Sequence, residues 1–487
     1  MKISKAQLLS GKKCEKALWF QLHAREQNKE NNNPIKFEIE DWVVECAFNL
    51  FPQGKRIYAR GKTRDEVIED SKKAIGENNN VIFNAGFETK GVFFTCDILE
   101  FSHEGNKLYA VKSSNRVKIE HIEEAVYEKF LLKQVGISIE KVFIIYINAD
   151  YERTDELDYH ALFNIEEVTE HICKFQEDYM DTMKSLRAYS KDCKAPYKPL
   201  GEYCLKPYVC EFKSICWRHV PQNSIFDITS FPLDLKFKYF NEGIISFEQA
   251  MGKVKLNDNQ KMQILCELKD EEVIDRDKIH NFLNEIKYPL YFLDFETFSS
   301  PIPQFEKVKP YEQIPFLYSL HTIDAPEGEL KHNYFIASVG KDPRRPLAEA
   351  LINNISTKGS VIVYNKSLEK AVIKDLALQF QDLSSNLMKI RENIKDMMII
   401  FQRRYYYVRA MKGSHSIKNV LPALFPNDTK LNYEGLKIKN GEMANNIYTL
   451  LWLKSKEEQN NIKKELVKYC SLDSYAMVKI FERLKDL

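Results

Sequence analysis

Two carboxylates two residues apart, Asp294 and Glu296 in YFLDFETF, open the segment of this 487-residue chain with the clearest chemical content. Residues i and i+2 of a β-strand point to one face, so both acids look the same way. Phe292, Leu293, Phe295 and Phe298 mark the strand for burial. Paired like charges there are costly unless a cation binds them; the bland alternative is a solvated strand end. Further acids follow. A strand pattern ends at Asn365, and Glu369 opens the next helix. Tyr469 and Asp473 in LVKYCSLDSYAMV stand at i and i+4, on one helix face. Asp396 in IKDMMIIF competes with Glu369 and reads as a structural acid. Arg403, Arg404, Tyr405, Tyr406, Tyr407, Arg409 and Lys412 interleave bases with aromatics. That pattern fits a single-strand nucleic-acid channel and equally a surface helix with a packed aromatic face.

The order Asp-x-Glu, Asn-x-x-x-Glu, Tyr-x-x-x-Asp resembles the proofreading-type exonuclease superfamily in its tyrosine branch, four acids on a ribonuclease-H-like sheet. The resemblance implies that Asp294, Glu296, Glu369 and Asp473 are metal ligands and that Tyr469 positions the attacking water. Glu369 departs from the superfamily, which has Asp there. Phosphodiester hydrolysis needs charge neutralised on the phosphate and a water made nucleophilic, and two divalent ions about 4 Å apart do both. Oxygen ligands suit Mg²⁺ or Mn²⁺. The segments SPIPQFEKVKPYEQIPFLYSLH, RRYYYVRAMKGSHSIKNVLPALFP and YCSLDSYAMV look like a bacterial family in which this domain follows a RecB-like nuclease domain, and that likeness runs over essentially the whole chain.

The N-terminal half carries a second constellation: Asp97 in FFTCDILEF and Lys112 in LYAVKSS. An acid on one strand and Lys on the next resembles the restriction-type nuclease core in its RecB-like branch, which implies metal binding by acids and a water-polarising Lys. Ala110 stands where that core has its second acid, and Glu128 where the branch commonly has Gln. These departures point to a degenerate, DNA-binding domain, unless a carboxylate migrated to Glu123 or Glu124. Cys204, Cys210 and Cys216 cluster in YCLKPYVCEFKSICW, with Cys14 far upstream. Thiolates suit iron–sulfur clusters and Zn²⁺, and the spacing is unlike paired Cys-x-x-Cys ribbons. The RecB-like resemblance implies a [4Fe–4S] cluster on these four, with Zn²⁺ the alternative. Cys46, Cys96, Cys173, Cys193, Cys266 and Cys470 read as packing residues.

The elements that must hold these residues are α/β throughout. Residues 1–30 read as helical, and so do 31–80 with a break at Pro52–Gly54. VIFNAGF, GVFFTCDILEF, KLYAVKSS and KVFIIYIN read as strands, with a helix before the last ending at Gly136. Residues 165–195 read as helical. Residues 222–285 read as a helical connector, and PLYFLDFET, FLYSLHTID, ELKHNYFIA and GSVIVYN as strands, with a helix from Arg345 before the fourth. The expected organisation is a RecB-like restriction-endonuclease core with an iron–sulfur staple over 1–221, the connector over 222–285, and a ribonuclease-H-like mixed sheet with helices over 286–487. Hydrophobic residues make up 44% and the formal net charge is +1, so disorder is excluded and any basic surface is local. No signal core or membrane-length apolar run is visible, which predicts a cytoplasmic protein without a membrane partner. The expectation is a metal-dependent 3′–5′ exonuclease on DNA, single strands or 3′ ends. The same enzyme on RNA and an inactive nucleic-acid-binding subunit are its rivals.

Overall fold

A computed structural model of the chain describes residues 3–24, 34–173, 185–186, 188–189 and 194–487. It divides into two units, one of residues 1–217 with 300–311, the other of residues 218–299 with 312–487. Both are mixed α/β, as the alternating patterns predict. The helices of 222–285 belong to the second unit.

The first unit is built on a curled mixed sheet. Its strands are β1 (Ile3–Ser4), β2 (Lys55–Arg56), β3 (Val81–Thr89), β4 (Val92–Glu100), β5 (Lys107–Lys112), β6 (Lys141–Ile147) and β7 (Phe163–Glu167). The order is β2-β3-β4-β5-β6-β7, and β1 adds in parallel to the start of β4. Helices α1 (Lys5–Lys13), α2 (Glu15–His23), α3 (Pro34–Ala47), α4 (Arg64–Gly76) and α5 (Ile119–Gln134) accompany it. One face packs Leu108, Ile144 and Phe94 against α4 and α5. The other packs Tyr109, Val111 and Ile145 against Val43 and Phe48 and takes in Ile302. Both faces of β5 are therefore apolar, which is why KLYAVK shows little alternation.

Three readings need correction. Residues 1–30 are not one helix: Cys14 is extended (φ −159°) and separates α1 from α2. Residues 55–56 form a short parallel strand inside the stretch read as helical. Residues 163–167 form β7, antiparallel to β6, rather than the start of a helix. The open edge of β6 offers backbone groups that a strand satisfies, and Phe163 and Ile165 alternate as a strand requires. Much of 174–193 lies outside the described residues, as do Cys193 and the Cys173 side chain.

The second unit holds a five-stranded sheet, ordered β11 (Leu330–Ile336), β10 (Ile314–Ile323), β9 (Leu290–Phe298), β12 (Ser360–Val363) and β13 (Ile394–Asp396). β9, β10 and β11 are antiparallel neighbours, while β12 pairs in parallel with β9 and β13. A further short pair joins β8 (Val273–Ile274) to β14 (Tyr406–Tyr407). The helices are α6 (Leu233–Asn241), α7 (Phe247–Lys253), α8 (Asp258–Lys269), α9 (Arg276–Asn284), α10 (Arg344–Asn354), α11 (Lys366–Gln379), α12 (Ile417–Leu424), α13 (Gly441–Thr449) and α14 (Lys456–Lys485). Gly359, at φ +90°, sits so close to the Pro289 carbonyl that a Cβ would collide with it, which lets β12 dock beside β9. Alternation on β9 sorts its side chains. Tyr291, Leu293 and Phe295 join the core beneath α10 and α11. Phe292, Asp294, Glu296 and Phe298 take the opposite face, where Phe292 meets Phe481 of α14.

Candidate functional site

The acidic centre lies in the second unit where β9, α11 and α14 converge. Asp294 keeps partial solvent contact, whereas Glu296, Glu369, Tyr469 and Asp473 are buried. β9 supplies Asp294 and Glu296. α11 supplies Glu369 from its first turn. Its N-cap is Asn365, left-handed at φ +75°, whose side chain accepts from the Ser367 amide; Asn tolerates that conformation better than most residues. α14 supplies Tyr469 and Asp473 from one face. The sequence thus names four acids and a tyrosine far apart in the chain, and the fold brings them together.

Their charges repel. The carboxyl of Asp294 is pushed well above the usual range, by burial first, then by Asp473, Glu296 and Glu369. Burial pushes Glu296 up to about 8, with Asp473 adding to it. Burial also raises Glu369 to about 8, with a contribution from Asp396. Asp473 reaches only about 6, because hydrogen bonds from Tyr433 and Tyr469 and the charge of Lys418 oppose its burial. Glu369 has a fully enclosed oxygen, Oε2, without a hydrogen-bond partner. An orphaned buried carboxylate oxygen beside three further acids fits a divalent cation. The ligand atoms of Asp294, Glu296 and Cys470 lie within 4.8 Å of one another.

The rival acid Asp396 is differently engaged. Its Oδ1 accepts from the backbone amides of Asn365 and Met398, each at 3.1 Å, fixing the turn that starts α11.

Three residues at the centre escaped the sequence reading. Cys470 is buried, but it is not only a packing residue: its Sγ lies 3.2 Å from Asp294 Oδ2, in position to donate. Tyr433 donates to Asp473 Oδ1. Lys418 Nζ donates to the Tyr469 hydroxyl at 3.0 Å and to the Lys439 carbonyl at 2.7 Å. The adjacency of Cys470 to Tyr469 was a readable signal; nothing local marked Tyr433 or Lys418. The run from Arg403 to Lys412 does not form a stacking channel. Tyr406 and Tyr407 are buried in β14, and Arg404 is buried with its guanidinium 4.3 Å from the Tyr407 ring. Tyr405 is half-buried; Arg403, Arg409 and Lys412 are exposed, and Arg409 pairs with Asp270. The strand β14 needs apolar cover, and the tyrosines provide it.

In the first unit, Asp97 Oδ2 accepts from the Val111 amide across β4 and β5 at 2.8 Å. Lys112 is paired with Glu124 of α5, while Glu123 turns to Lys12. Ala110 and Glu128 are buried. Glu40 and Asp41 of α3 complete the surroundings. Burial raises Glu40, and Lys112 counters it; burial raises Asp41, with Asp97 among the acids adding to it.

The four cysteines of the same unit approach one another. Cys14 stands between α1 and α2, and the Cys210 amide donates to the Cys204 carbonyl at 2.8 Å. Burial raises the Cys14, Cys210 and Cys216 thiols, and each of these feels the charge of other members of the four. Phe20 stacks on Phe212 beside them at 5.2 Å, and Trp217 is buried. Cys46, Cys96 and Cys266 are buried, as packing residues should be.

A sequence profile for a domain of unknown function (DUF2779) matches residues 291–416. That range carries Asp294, Glu296, Glu369 and Asp396 but ends before Tyr469 and Asp473. Over 227 residues the chain is 29% identical to the uncharacterized protein MG366 of Mycoplasma genitalium, and over 225 residues 27% identical to the MG366 homolog of Mycoplasma pneumoniae. Each alignment covers 43% of this chain and 34% of the relative, so the chain spans about a third of the length of the curated relatives it matches. Among the described residues, no helix is long and apolar enough to cross a membrane.

Proposed function

We propose that this chain is a divalent-metal-dependent 3′–5′ exonuclease that hydrolyses DNA at the centre of Asp294, Glu296, Glu369 and Asp473. The observation that carries the reading is Glu369 Oε2, enclosed and unpartnered among acids that repel one another. A five-stranded mixed sheet with two of the acids on its central strand supports the ribonuclease-H-like assignment. Mg²⁺ or Mn²⁺ on these carboxylates would neutralise phosphate charge and lower the pKa of a bound water. Tyr469, which accepts from Lys418 and lies one helical turn before Asp473, holds a neutral hydroxyl where it can orient that water. Polarity and DNA preference follow from the family resemblance, not from the geometry.

The first unit has the role of a RecB-like, DNA-gripping domain. Its four thiols, drawn from the junction of α1 and α2 and from residues 204–216, suit a [4Fe–4S] cluster that would staple α1 and α2 to residues 202–217. Iron and sulfide analysis of anaerobically reconstituted protein checks this; zinc alone at one equivalent would replace the cluster by a zinc staple.

The test of the activity is digestion of end-labelled single-stranded DNA, duplex DNA and RNA with Mn²⁺, Mg²⁺ or chelator, by the wild type and Asp294→Ala. Stepwise loss from the 3′ end that needs the metal and Asp294 is expected. Faster loss of RNA would move the substrate to RNA, and no hydrolysis of any substrate would leave a nucleic-acid-binding subunit.

A further inference from the structure

Lys418 projects from the first turn of α12 into the acidic centre. Its ammonium donates to the Tyr469 hydroxyl and to the Lys439 carbonyl. It also stands 4.9 Å from the centroid of the Tyr469 ring and 5.5 Å from that of Tyr433. Two tyrosines and one lysine thus form a cap over Asp473, with the Tyr433 phenol donating to that carboxylate. The ammonium, set against the ring of Tyr433, whose hydroxyl holds Asp473, and against Tyr469 one helical turn before Asp473, stands beside this carboxylate. A cation fixed beside a metal-binding carboxylate attracts the same negative charge that a divalent ion needs.

We propose that Lys418 is a positioning residue of this centre, holding the Tyr469 hydroxyl in place while its charge, set beside Asp473, opposes the binding of a divalent cation there. The inference rests on the exonuclease reading for its kinetic half; its electrostatic half concerns cation binding alone. A lysine has three donor protons and no acceptor. Donation from Lys418 therefore occupies a lone pair of the phenol oxygen and leaves the phenol proton to point at an acceptor. Without Lys418 that oxygen is free to rotate its proton away, and the rate falls. The same substitution removes a positive charge from the cation's neighbourhood, so the cation binds more tightly. A structural defect moves these two quantities in the same direction, and the proposal moves them apart.

The experiment measures Mn²⁺ affinity by the electron paramagnetic resonance of free Mn²⁺, together with the hydrolysis rate, on the full chain. Mn²⁺ favours oxygen ligands, and Asp294→Ala defines the signal that belongs to this centre. Lys418→Met is expected to bind Mn²⁺ roughly tenfold more tightly and to hydrolyse about a hundredfold more slowly at saturating metal. Lys418→Arg keeps the charge and should hold affinity near wild type. In a Tyr469→Phe background the Lys418→Met rate loss should shrink to about twofold, because the two residues act as one unit. Unchanged or weaker Mn²⁺ binding by folded Lys418→Met overturns the proposal, as do fully additive rate losses. If the wild type hydrolyses nothing, the exonuclease reading fails and Mn²⁺ affinity alone decides: tightening in Lys418→Met keeps the competition, and its absence ends it.

Discussion

Each unit sets acids on a central strand with a lysine near them, yet their polar atoms are spent differently. In the first unit Asp97 has committed an oxygen to the Val111 amide, Lys112 is paired with Glu124, and the position between them on β5 is the buried methyl of Ala110. In the second unit the acids are pressed together, and Glu369 Oε2 has no partner. Residue types alone would rank the two sites alike. The difference is that Asp97 and Lys112 of the first constellation have partners, while the crowded acids of the second leave Glu369 Oε2 without one among the described residues.

The sharpest break of this comparison is a pair of substitutions. Asp294→Ala should cut metal-dependent hydrolysis by at least about a thousandfold, since on the proposed reading it removes a ligand of the water-activating cation. Lys112→Ala should leave the rate within about twofold, because Lys112 is engaged in an ion pair with Glu124. Degradation assays on both variants decide. Hydrolysis that survives Asp294→Ala and dies with Lys112→Ala would transfer catalysis to the first unit.

Within the second unit, Glu369 and Asp396 can be separated in the same way. Glu369→Ala should cost on the order of a hundredfold in rate with little loss of stability, since its enclosed Oε2 holds no hydrogen bond. Asp396→Ala leaves the Asn365 and Met398 amides without their acceptor, so it should lower stability by about 1–3 kcal/mol and slow the reaction less. Full activity in Glu369→Ala beside a folded but dead Asp396→Ala would reverse the assignment. Tyr469→Phe keeps all four acids and removes one hydroxyl, and should cost roughly 10²–10³ in rate, about 3–4 kcal/mol.

Much of this centre was legible in the sequence. Asp294 and Glu296 declared themselves through the two-residue period of a strand, and Tyr469 and Asp473 through the helical one, because both periods are local. Asn365 marked the start of α11 because its side chain caps that helix. Tyr433 and Lys418 were not legible. They lie in segments without a strong period, and only the approach of α12 and the loop at Tyr433 to α14 makes them part of the centre. Cys470 sat beside a chosen residue and was missed because cysteine packs well in a core. In the fold, the long strands and their order along the chain were readable, whereas β2, β8, β13 and β14, at two or three residues each, are too short to carry a period. The tyrosines of 405–407 misled for the opposite reason: alternation with bases is a real pattern, but β14 used it to bury its aromatics.

The smallest expected effect concerns stability and turns on sign. Glu296 and Glu369 are pushed up to about 8 in the folded chain, whereas a free Glu titrates near pH 4 (about 4.3). A carboxyl that holds its proton more tightly when folded makes stability fall as pH rises from the unfolded value through the folded one. Below about pH 4 both states are protonated and the cost is absent; above about pH 8 it is complete. Histidines work against this at lower pH. Burial pushes His321 down to about 4, so its contribution to stability is lost as pH falls below the range of a free His. The window between about pH 7 and 8.5 lies above that titration, and the raised carboxyl of Asp294 acts there with the same sign as the glutamates. The metal-free protein should therefore melt roughly 2–5 °C lower at pH 8.5 than at pH 7, and Glu296→Gln, which cannot ionise, should flatten the slope. Saturating Mn²⁺ should invert it, because the cation binds the ionised carboxylates and binding to the folded state alone raises its stability. Calorimetry at the two pH values, with chelator and with Mn²⁺, reads all three. A chelated protein that melts higher at pH 8.5, with Glu296→Gln unchanged in slope, would mean that the acids of the second unit are as self-satisfied as those of the first, and the contrast between the two sites would be lost.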